Sequence, residues 1–138
     1  MRFVVGNWEQ CRPDAMPVRH EVFIVEQQVP PELELDEFDA VSAHAVAYSE
    51  GGEAVATGRL LPDGHIGRVA VLKSWRGRGI GRQIMLALMQ QAQRHGLPGV
   101  ALSAQYHACS FYEALGFQAE GDIYMEAGIE HIDMWLKF

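Results

Sequence analysis

The sequence contains few cysteines and no long apolar run. Its two cysteines, Cys11 and Cys109, lie far apart, and its six histidines show no metal-ligand spacing, so neither a disulfide framework nor a metal site is predicted. No apolar stretch approaches the roughly 18 residues that span a membrane, and the N-terminal MRFVVGNWEQ is too weakly apolar for a secretory signal. We therefore expect a cytoplasmic protein with reduced thiols and no membrane partner.

Net positive charge is absent as well. The 11 Lys and Arg residues face 18 Asp and Glu residues, which gives a formal net charge of −7 and argues against a nucleic-acid partner. The 138 residues are 49% hydrophobic, which is enough for a folded core. We found no repeat, linker or low-complexity segment, and we expect a single domain over residues 1–138.

Positive charge is nevertheless concentrated in residues 67–82, which read GRVAVLKSWRGRGIGR. The pattern predicts a strand, a glycine-rich turn and a helix in that order. A helix N-terminus presents unpaired N–H groups with a partial positive charge, and glycines let a ligand approach the backbone closely. The stretch predicts a phosphate or pyrophosphate site, with an ordinary turn and solvated basic residues as the alternative. The basic residues are Arg68, Lys73, Arg76, Arg78 and Arg82.

This stretch fits neither of two common phosphate-binding loops. No Gly-Lys-Ser/Thr follows the glycines, and Arg82 stands where the dinucleotide fingerprint requires its last glycine. The stretch does match Arg/Gln-x-x-Gly-x-Gly/Ala, with Arg76, Gly79 and Gly81 at the fixed positions. Together with the preceding Val-Ala-Val strand, this motif resembles the acetyl-CoA pyrophosphate loop of the GNAT superfamily of acetyltransferases.

Hydrophobic periodicity and turn residues predict the other elements. The first helix should bury Val18, Val22, Val25 and Val29, and the apolar strand 100–103 should be buried on both faces. Because a helix joins strand 65–72 to strand 100–103, these two strands should be parallel. Strands are expected over about 2–8, 43–49, 53–61, 65–72, 100–103, 117–125 and 130–137, and helices over about 14–28, 77–95 and 107–115.

These elements predict an α/β fold. Its central sheet is mixed and mostly antiparallel, with about seven strands, one central parallel βαβ crossover and helices on both faces. The order looks like the GNAT fold across nearly the whole chain. A second motif supports the resemblance, because QYHACSFYEALGF, residues 105–117, is similar to the family's Asn-x-x-Ala-x-x-Phe-Tyr-x-x-x-Gly-Phe, with Gln105 in place of Asn. Both chain ends resemble a branch of small bacterial members.

The resemblance implies where acetyl-CoA binds. The backbone of Val69 and Val71 would hold the thioester carbonyl and the pantetheine arm, and the amides from Gly77 through Arg82 would hold the pyrophosphate. A strand splayed from its parallel neighbour leaves backbone groups free for this purpose, and one N–H aimed at the thioester oxygen stabilises the developing oxyanion. The expected cofactor-binding residues are Val69, Ala70, Val71, Arg76, Gly77, Arg78, Gly79, Ile80, Gly81, Arg82 and Gln105.

Tyr112 stands at the family's position for the group that protonates the leaving thiolate. A tyrosine hydroxyl with an ordinary pKa near 10 can supply that proton. The alternative is a core aromatic, because Tyr112 shares a helical face with Phe111 and Leu115. We expect direct transfer without a covalent enzyme intermediate, and we interpret Cys109 as a small buried residue.

An amine acceptor must lose a proton before it attacks. A lysine-like amine with a pKa near 10.4 is protonated at neutral pH, and its deprotonation there costs roughly 4–5 kcal/mol. A carboxylate or a histidine must take the proton, directly or through water. The candidates are Glu26, Asp36, His44 and His131, of which we favour Glu26 and His131.

Acidic residues are concentrated in residues 32–39, where they form either a solvated loop or an acidic lip that attracts a cationic acceptor. We expect acetyl transfer from acetyl-CoA to a small cationic amine or a peptide, without a metal, and a homodimer is compatible with the sequence. One rival is a non-catalytic acyl-CoA-sensing module that acts on a partner, and another is a nucleotide-phosphate binder unrelated to CoA. The acidic residues are Glu32, Glu34, Asp36, Glu37 and Asp39.

Overall fold

Seven strands form two antiparallel sheets in the computed structural model, which describes residues 1–138. One sheet has the order β1-β2-β3-β4 and the other the order β5-β7-β6. The predicted α/β fold with about seven strands is confirmed. The strands are β1 Arg2–Gly6, β2 Ala43–Tyr48, β3 Ala54–Leu60, β4 Ile66–Val71, β5 Gly99–Gln105, β6 Gln118–Glu126 and β7 Ile129–Lys137.

Helices cover both faces of the four-stranded sheet. Ala45 and Ala47 of β2 belong to the main core together with Ile84, whereas Val46 packs with Ala15. Because successive side chains of a strand point to opposite faces, α1 and α3 lie on opposite sides of this sheet. None of the helices combines the length and hydropathy needed to span a bilayer. The α-helices are α1 Trp8–Arg19, α2 Pro31–Glu34, α3 Ile80–Arg94 and α4 Cys109–Ala114.

The first helix begins at Trp8, earlier than the predicted start near residue 14. Asn7 and Gln10 form a capping box, in which each side-chain oxygen accepts a hydrogen bond from the other residue's backbone N–H. After α1 the chain continues as a π-helix, His20–Glu26, which changes the phase of the side chains. Val25 is therefore exposed, and the prediction that it belongs to a buried valine stripe is wrong.

The parallel crossover β4-α3-β5 is present, but its two strands meet at one point. A single parallel bridge joins His65 and Ala101, where the Ala101 N–H donates to the Gly64 carbonyl at 3.1 Å. Gly64 has φ +98°, and a Cβ there would lie 3.0 Å from the Gly99 oxygen, so glycine permits this close approach. No further backbone pairing joins the two strands. The predicted central sheet is thus opened into a cleft with β4 and β5 as its walls.

Strand β5 is longer than predicted and has one buried face. Val100, Leu102 and Ala104 are buried, whereas Ser103 is exposed, so the expectation of burial on both faces is wrong. Ser103 pairs in register with Asp133 of β7, on a face that is open to solvent. The split of the sheet causes this difference, because β5 lacks the parallel neighbour and the covering layer of a central strand.

Candidate active site

The cleft exposes backbone groups of β4. Leu72 donates its N–H to the Val55 oxygen of β3 at 2.9 Å. Alternate residues of an antiparallel strand direct their backbone groups to opposite sides, so Val69 and Val71 direct theirs into the cleft. Ala70 directs its backbone groups toward β3, and its side chain is buried. The structure therefore brings Val69 and Val71 into the cleft but not Ala70, which was also expected to hold the cofactor.

Arg68 distorts β4 and points away from the glycine loop. It has φ +51°, and the pairing with β3 is irregular at this point, as in a β-bulge. Its guanidinium donates to the carbonyl oxygens of Leu33 and Glu34 and to the Asp36 carboxylate, over 3.0–3.2 Å. The expectation that Arg68 contributes to the basic cluster at the loop is wrong. The residue instead fastens the 31–36 segment to β4.

The loop before α3 presents a row of unpaired backbone N–H groups. Gly77 and Gly79 both have φ +77°, a conformation that glycine adopts without steric cost. The N–H groups of residues 77–82 donate to no backbone acceptor, and no side chain caps α3. Nothing lies within 4 Å of the Cβ position at either glycine, so the loop surface is accessible to a ligand. Unpaired N–H groups at a helix N-terminus give this loop the geometry of an anion-binding site.

The basic side chains of this loop differ in their contacts. Arg76 donates from Nε to the Val71 oxygen at 2.9 Å and binds the Glu26 carboxylate through its two other nitrogens. The Arg78 guanidinium lies 4.6 Å over the Trp75 ring. Arg76 thus holds the loop in position. The negative charge of a bound phosphate would instead be neutralised by the exposed basic side chains. These are Lys73, Arg78 and Arg82.

Glu26 was one of the two favoured proton acceptors, and the structure places it in this ion pair. The hydrogen bonds from Arg76 hold the pKa of Glu26 below its ordinary value. A carboxylate with a lowered pKa is a weaker base, and both of its oxygens are already occupied by Arg76. The geometry therefore favours a structural role for Glu26.

A cavity of about 410 Å³ lies between β4 and β5. Residues of the π-helix, of the segment after it, of both cleft strands and of the β6–β7 turn contribute to its walls. Its apolar wall includes Phe23, Val29, Leu33 and Leu102. Its polar wall includes Gln27, Glu34, Arg68, Ser103, Gln105, Tyr112, Glu126 and His131.

Tyr112 lies in the wall of this cavity. Its ring packs edge-on against Phe111 and Phe117, with centroid distances of 5.0 and 6.1 Å. Burial raises the pKa of the hydroxyl to about 12, so the group stays protonated at neutral pH, as a proton donor must. Its ring also packs against the main core, as the core-aromatic alternative considered from the sequence requires.

Of the four candidate bases, only His131 lines the cavity together with Tyr112. Its residue exposure is 8%, and its Nδ1 lies 2.7 Å from the Ile129 carbonyl oxygen. A carbonyl oxygen can only accept, so Nδ1 carries a proton, and in the neutral form of the ring Nε2 is the nitrogen with the lone pair. Glu126 Oε2 lies 3.5 Å from Nε2. This arrangement suits a proton acceptor.

The other two candidate bases, His44 and Asp36, lie outside the cavity wall. His44 is buried, its Nε2 is 2.9 Å from the Asp39 carbonyl oxygen, and burial lowers its pKa. Asp36 binds Arg59 through two hydrogen bonds of 2.6 and 2.8 Å, and these bonds lower the pKa of Asp36. Neither geometry favours contact with an acceptor amine.

Most of the acidic segment is neutralised by arginines from distant elements. Arg19 of α1 binds Glu34 and Asp39, and Arg59 of β3 binds Asp36 and Asp39. Glu34 and Asp39 are buried. The prediction of an acidic lip is wrong for these three carboxylates, because arginines far away in the sequence converge on them. Of the five carboxylates in the segment, only those of Glu32 and Glu37 belong to exposed residues.

Two further residues complete the description of the site. Gln105, expected near the cofactor arm, exchanges side-chain hydrogen bonds of 2.9 and 3.4 Å with Gln27. Cys109 is partly exposed, so its expected burial is wrong, and partial desolvation raises the pKa of its thiol. No group of three or more His, Cys, Asp or Glu side chains could hold a metal ion.

Glu126 and Gln27 were not singled out from the sequence. Gln27 follows the π-helix, whose irregular phase the sequence pattern does not reveal. Glu126 precedes the turn Ala127-Gly128, whose residues have φ +51° and +77°, as in a type I′ hairpin turn. The two strands around this turn were predicted, but the pairing that brings Glu126 beside His131 depends on the register of β6 and β7.

Comparisons with known proteins agree with this arrangement. The family model for the acetyltransferase (GNAT) domain matches residues 10–138. A Bacillus subtilis protein, named uncharacterized N-acetyltransferase YjcF, is 40% identical over 97% of this chain and 98% of its own length.

Solved structures show the same architecture. An acyl-CoA N-acyltransferase from Pseudomonas aeruginosa superposes with a TM-score of 0.86 at 34% identity, and the match covers 97% of each chain. ElaA from Escherichia coli superposes with a TM-score of 0.86 at 28% identity, again over 97% of each chain. The split sheet, the glycine loop and the cavity therefore occur within an architecture that other N-acyltransferases share.

Proposed function

Because this chain belongs to the GNAT family of acetyltransferases, we propose that it transfers an acetyl group from acetyl-CoA to a primary amine by direct attack. The observation that carries the proposal is the cleft between β4 and β5. At one end of β4 the unpaired amides of residues 77–82 offer an anion site, and along β4 the cavity holds Tyr112 and His131. One strand thus connects a place for the cofactor to a place for the acceptor.

The chain's own groups hold the cosubstrate in this proposal. The amides of residues 77–82 bind the pyrophosphate, and the cleft-facing backbone of Val69 and Val71 pairs with the amide groups of the pantetheine arm. Acetyl-CoA supplies the activated acyl group as a thioester. A cleft-facing N–H of β4 stabilises the oxygen as negative charge develops on it.

The two titratable groups of the cavity move the protons. His131 Nε2 takes a proton from the acceptor ammonium, and the released nitrogen lone pair forms the C–N bond at the thioester carbonyl carbon. The C–S bond breaks with its electron pair on sulfur, and the Tyr112 hydroxyl protonates that sulfur. The tyrosine recovers a proton from the nitrogen of the new amide, and His131 returns its proton to solvent. The products are the N-acetyl amine, CoA thiol and one proton.

A thiol-release assay tests the proposal directly. Wild type is incubated with acetyl-CoA and with each member of a panel of amines, amino acids, aminoglycosides and peptides, and free CoA thiol is measured against a reaction without acceptor. Acceptor-dependent thiol release, together with an N-acetylated product by mass spectrometry, supports the transferase. Calorimetric binding of acetyl-CoA without thiol release for any acceptor would favour the acyl-CoA-sensing module, and preferential binding of ATP over CoA would favour the nucleotide binder.

A further inference from the structure

We propose that the acceptor is a primary monoamine carrying an apolar group. Glu126 and His131 would hold the ammonium, and the apolar wall of the cavity would hold the rest of the molecule. This inference rests on the proposed function, because it names the amine that the transferase would use.

The hairpin carries the uncompensated negative charge of the cleft. In contrast to Glu34, Asp36 and Asp39, the hairpin carboxylates form no ion pair with an arginine or a lysine, and the one basic group near Glu126 is His131 Nε2 at 3.5 Å. Unpaired carboxylates attract cations, and the effect is strongest where the surrounding wall excludes water. The acidic residues of the hairpin are Glu120, Asp122, Glu126, Glu130 and Asp133.

Glu126 is the hairpin carboxylate that lines the cavity. Its side chain is 60% exposed, and its one hydrogen bond within the protein is a long one of 3.4 Å from Ser103 Oγ. An accessible carboxylate with so little internal bonding can accept hydrogen bonds from a ligand. It is the last residue of β6, next to the β6–β7 turn.

His131 provides the second and independent observation. The residue is more than nine-tenths buried and lines the cavity, and its Nε2 forms no hydrogen bond with a protein group. In the neutral form of the ring the Nε2 lone pair lies 3.5 Å from the Glu126 carboxylate, and these two acceptors suit a donor and repel an anion. A primary ammonium has three N–H donors, so it can bind both acceptors at once and still carry its substituent.

The remainder of the cavity determines the substituent. Phe23, Val29, Leu33 and Leu102 give the wall an apolar surface, and Leu33 is 55% exposed at its edge. The other carboxylate in the wall, Glu34, is already bound by Arg19. A second positive charge on the acceptor would therefore have no free partner, whereas an alkyl or arylalkyl group would cover Leu33.

A series of amines tests the substituent. Ethylamine, butylamine and 2-phenylethylamine carry one ammonium each, and 1,4-diaminobutane adds a second charge at the length of butylamine. We expect kcat/KM to rise by about tenfold from ethylamine to butylamine, since each buried methylene contributes about 0.8 kcal/mol. The kcat/KM for 1,4-diaminobutane should be lower than that for butylamine by a similar factor. Equal values along the series, or a preference for the diamine, would overturn the inference.

Substitutions test the site itself. Glu126→Gln should raise KM for 2-phenylethylamine about tenfold, with kcat within a few-fold, and the difference from wild type should shrink with salt. Glu120→Gln, a matched control on the same strand, should leave KM unchanged. Leu33→Ala should raise KM for 2-phenylethylamine but not for ethylamine. Equal KM values for the two glutamine variants would show that Glu126 does not bind the acceptor.

Failure of the transferase proposal gives a different result. If no amine releases thiol although acetyl-CoA binds, the transferase is overturned, and calorimetry with 2-phenylethylamine then tests the site without turnover. Binding that is lost in Glu126→Gln but kept in Glu120→Gln supports the amine site. Absence of binding to wild type overturns it.

Discussion

Glu26 and Arg76 form an ion pair through two hydrogen bonds of 2.6 Å, and this pair joins the acceptor side of the molecule to the cofactor loop. Glu26 ends the π-helix that also carries Phe23 into the cavity wall. Arg76 precedes the glycine loop and also binds the Val71 oxygen at the cleft. Both side chains are partly exposed, so we expect at most about 1 kcal/mol of stability from the pair, and its main effect is to position the loop.

The first prediction concerns this pair. Glu26→Gln should weaken acetyl-CoA binding several-fold, because Arg76 loses its charged partner and the loop becomes less ordered, while the melting temperature changes little. Calorimetric titration and thermal unfolding measure the two effects. Glu21→Gln, an exposed position on the same π-helix, is the matched control. If turnover instead dropped by about two orders of magnitude while the affinity stayed unchanged, Glu26 would be identified as the base.

The second prediction concerns the glycine loop. Gly79→Asp should abolish measurable acetyl-CoA binding, since the new carboxylate repels the pyrophosphate and its backbone must keep φ +77°. Gly52→Asp provides a control for backbone strain, because Gly52 has φ +85°, equally open surroundings and a place in the distant β2–β3 turn. Both variants should lose about 1 kcal/mol of stability. Unchanged affinity in folded Gly79→Asp would show that the pyrophosphate binds elsewhere.

The third prediction concerns Tyr112. Tyr112→Phe should lower kcat by roughly 10²-fold or more with little change in acetyl-CoA affinity, because the sulfur loses its proton donor. Steady-state kinetics with the best acceptor and calorimetry measure the two quantities. Tyr106→Phe is the control, since Tyr106 is exposed and lies on the turn before the same helix. A kcat within a few-fold of wild type would exclude Tyr112 as the acid.

The sequence predicted those features that depend on local pattern. The glycines of residues 77–81 and the apolar strand before them predicted a glycine turn that leads into a helix, and the structure has φ +77° at Gly77 and Gly79. The seven strands and the crossover helix followed from periodicity and turn residues, and the structure confirms them. In each case neighbouring residues along the chain carry the physical signal, such as a positive φ or a repeating apolar face.

Features that depend on long-range pairing were missed or misjudged. The charges of residues 32–39 indicated an acidic surface, but Arg19, Arg59 and Arg68 reach that segment from three different elements. Glu126 lies in the cavity wall because of the register between β6 and β7, which the local sequence does not reveal. Local charge density therefore did not locate the acidic side of the cleft, because burial and ion pairing are properties of the folded chain.

The last prediction concerns the buried ion pairs. Asp39 accepts hydrogen bonds from both Arg19 and Arg59, and all three side chains are buried. Asp39→Asn should lower the free energy of unfolding by about 3 kcal/mol, because two buried guanidinium groups lose a shared counter-charge. Glu37→Gln, an exposed change in the same segment, should have an effect within about 0.5 kcal/mol. Urea unfolding at pH 7 measures both, and equal midpoints would show that Asp39 contributes no net stability.

The direction of the pKa shift of Asp39 predicts how its contribution to stability changes with pH. Burial alone would raise the pKa of Asp39, but the hydrogen bonds and charges of Arg19 and Arg59 outweigh it and lower the pKa below the ordinary 3.8. In the unfolded chain Asp39 therefore binds its proton at a higher pH than in the folded protein, and unfolding takes up that proton as the pH falls. The stability from Asp39 is present in full above the ordinary pKa and is lost as the pH falls through the lowered one. The difference in unfolding free energy between wild type and Asp39→Asn should consequently be constant from about pH 6 to 8 and shrink below about pH 4. A difference that grows on acidification would contradict a lowered pKa, because it would mean that the folded protein holds the proton of Asp39 more tightly than the unfolded chain does.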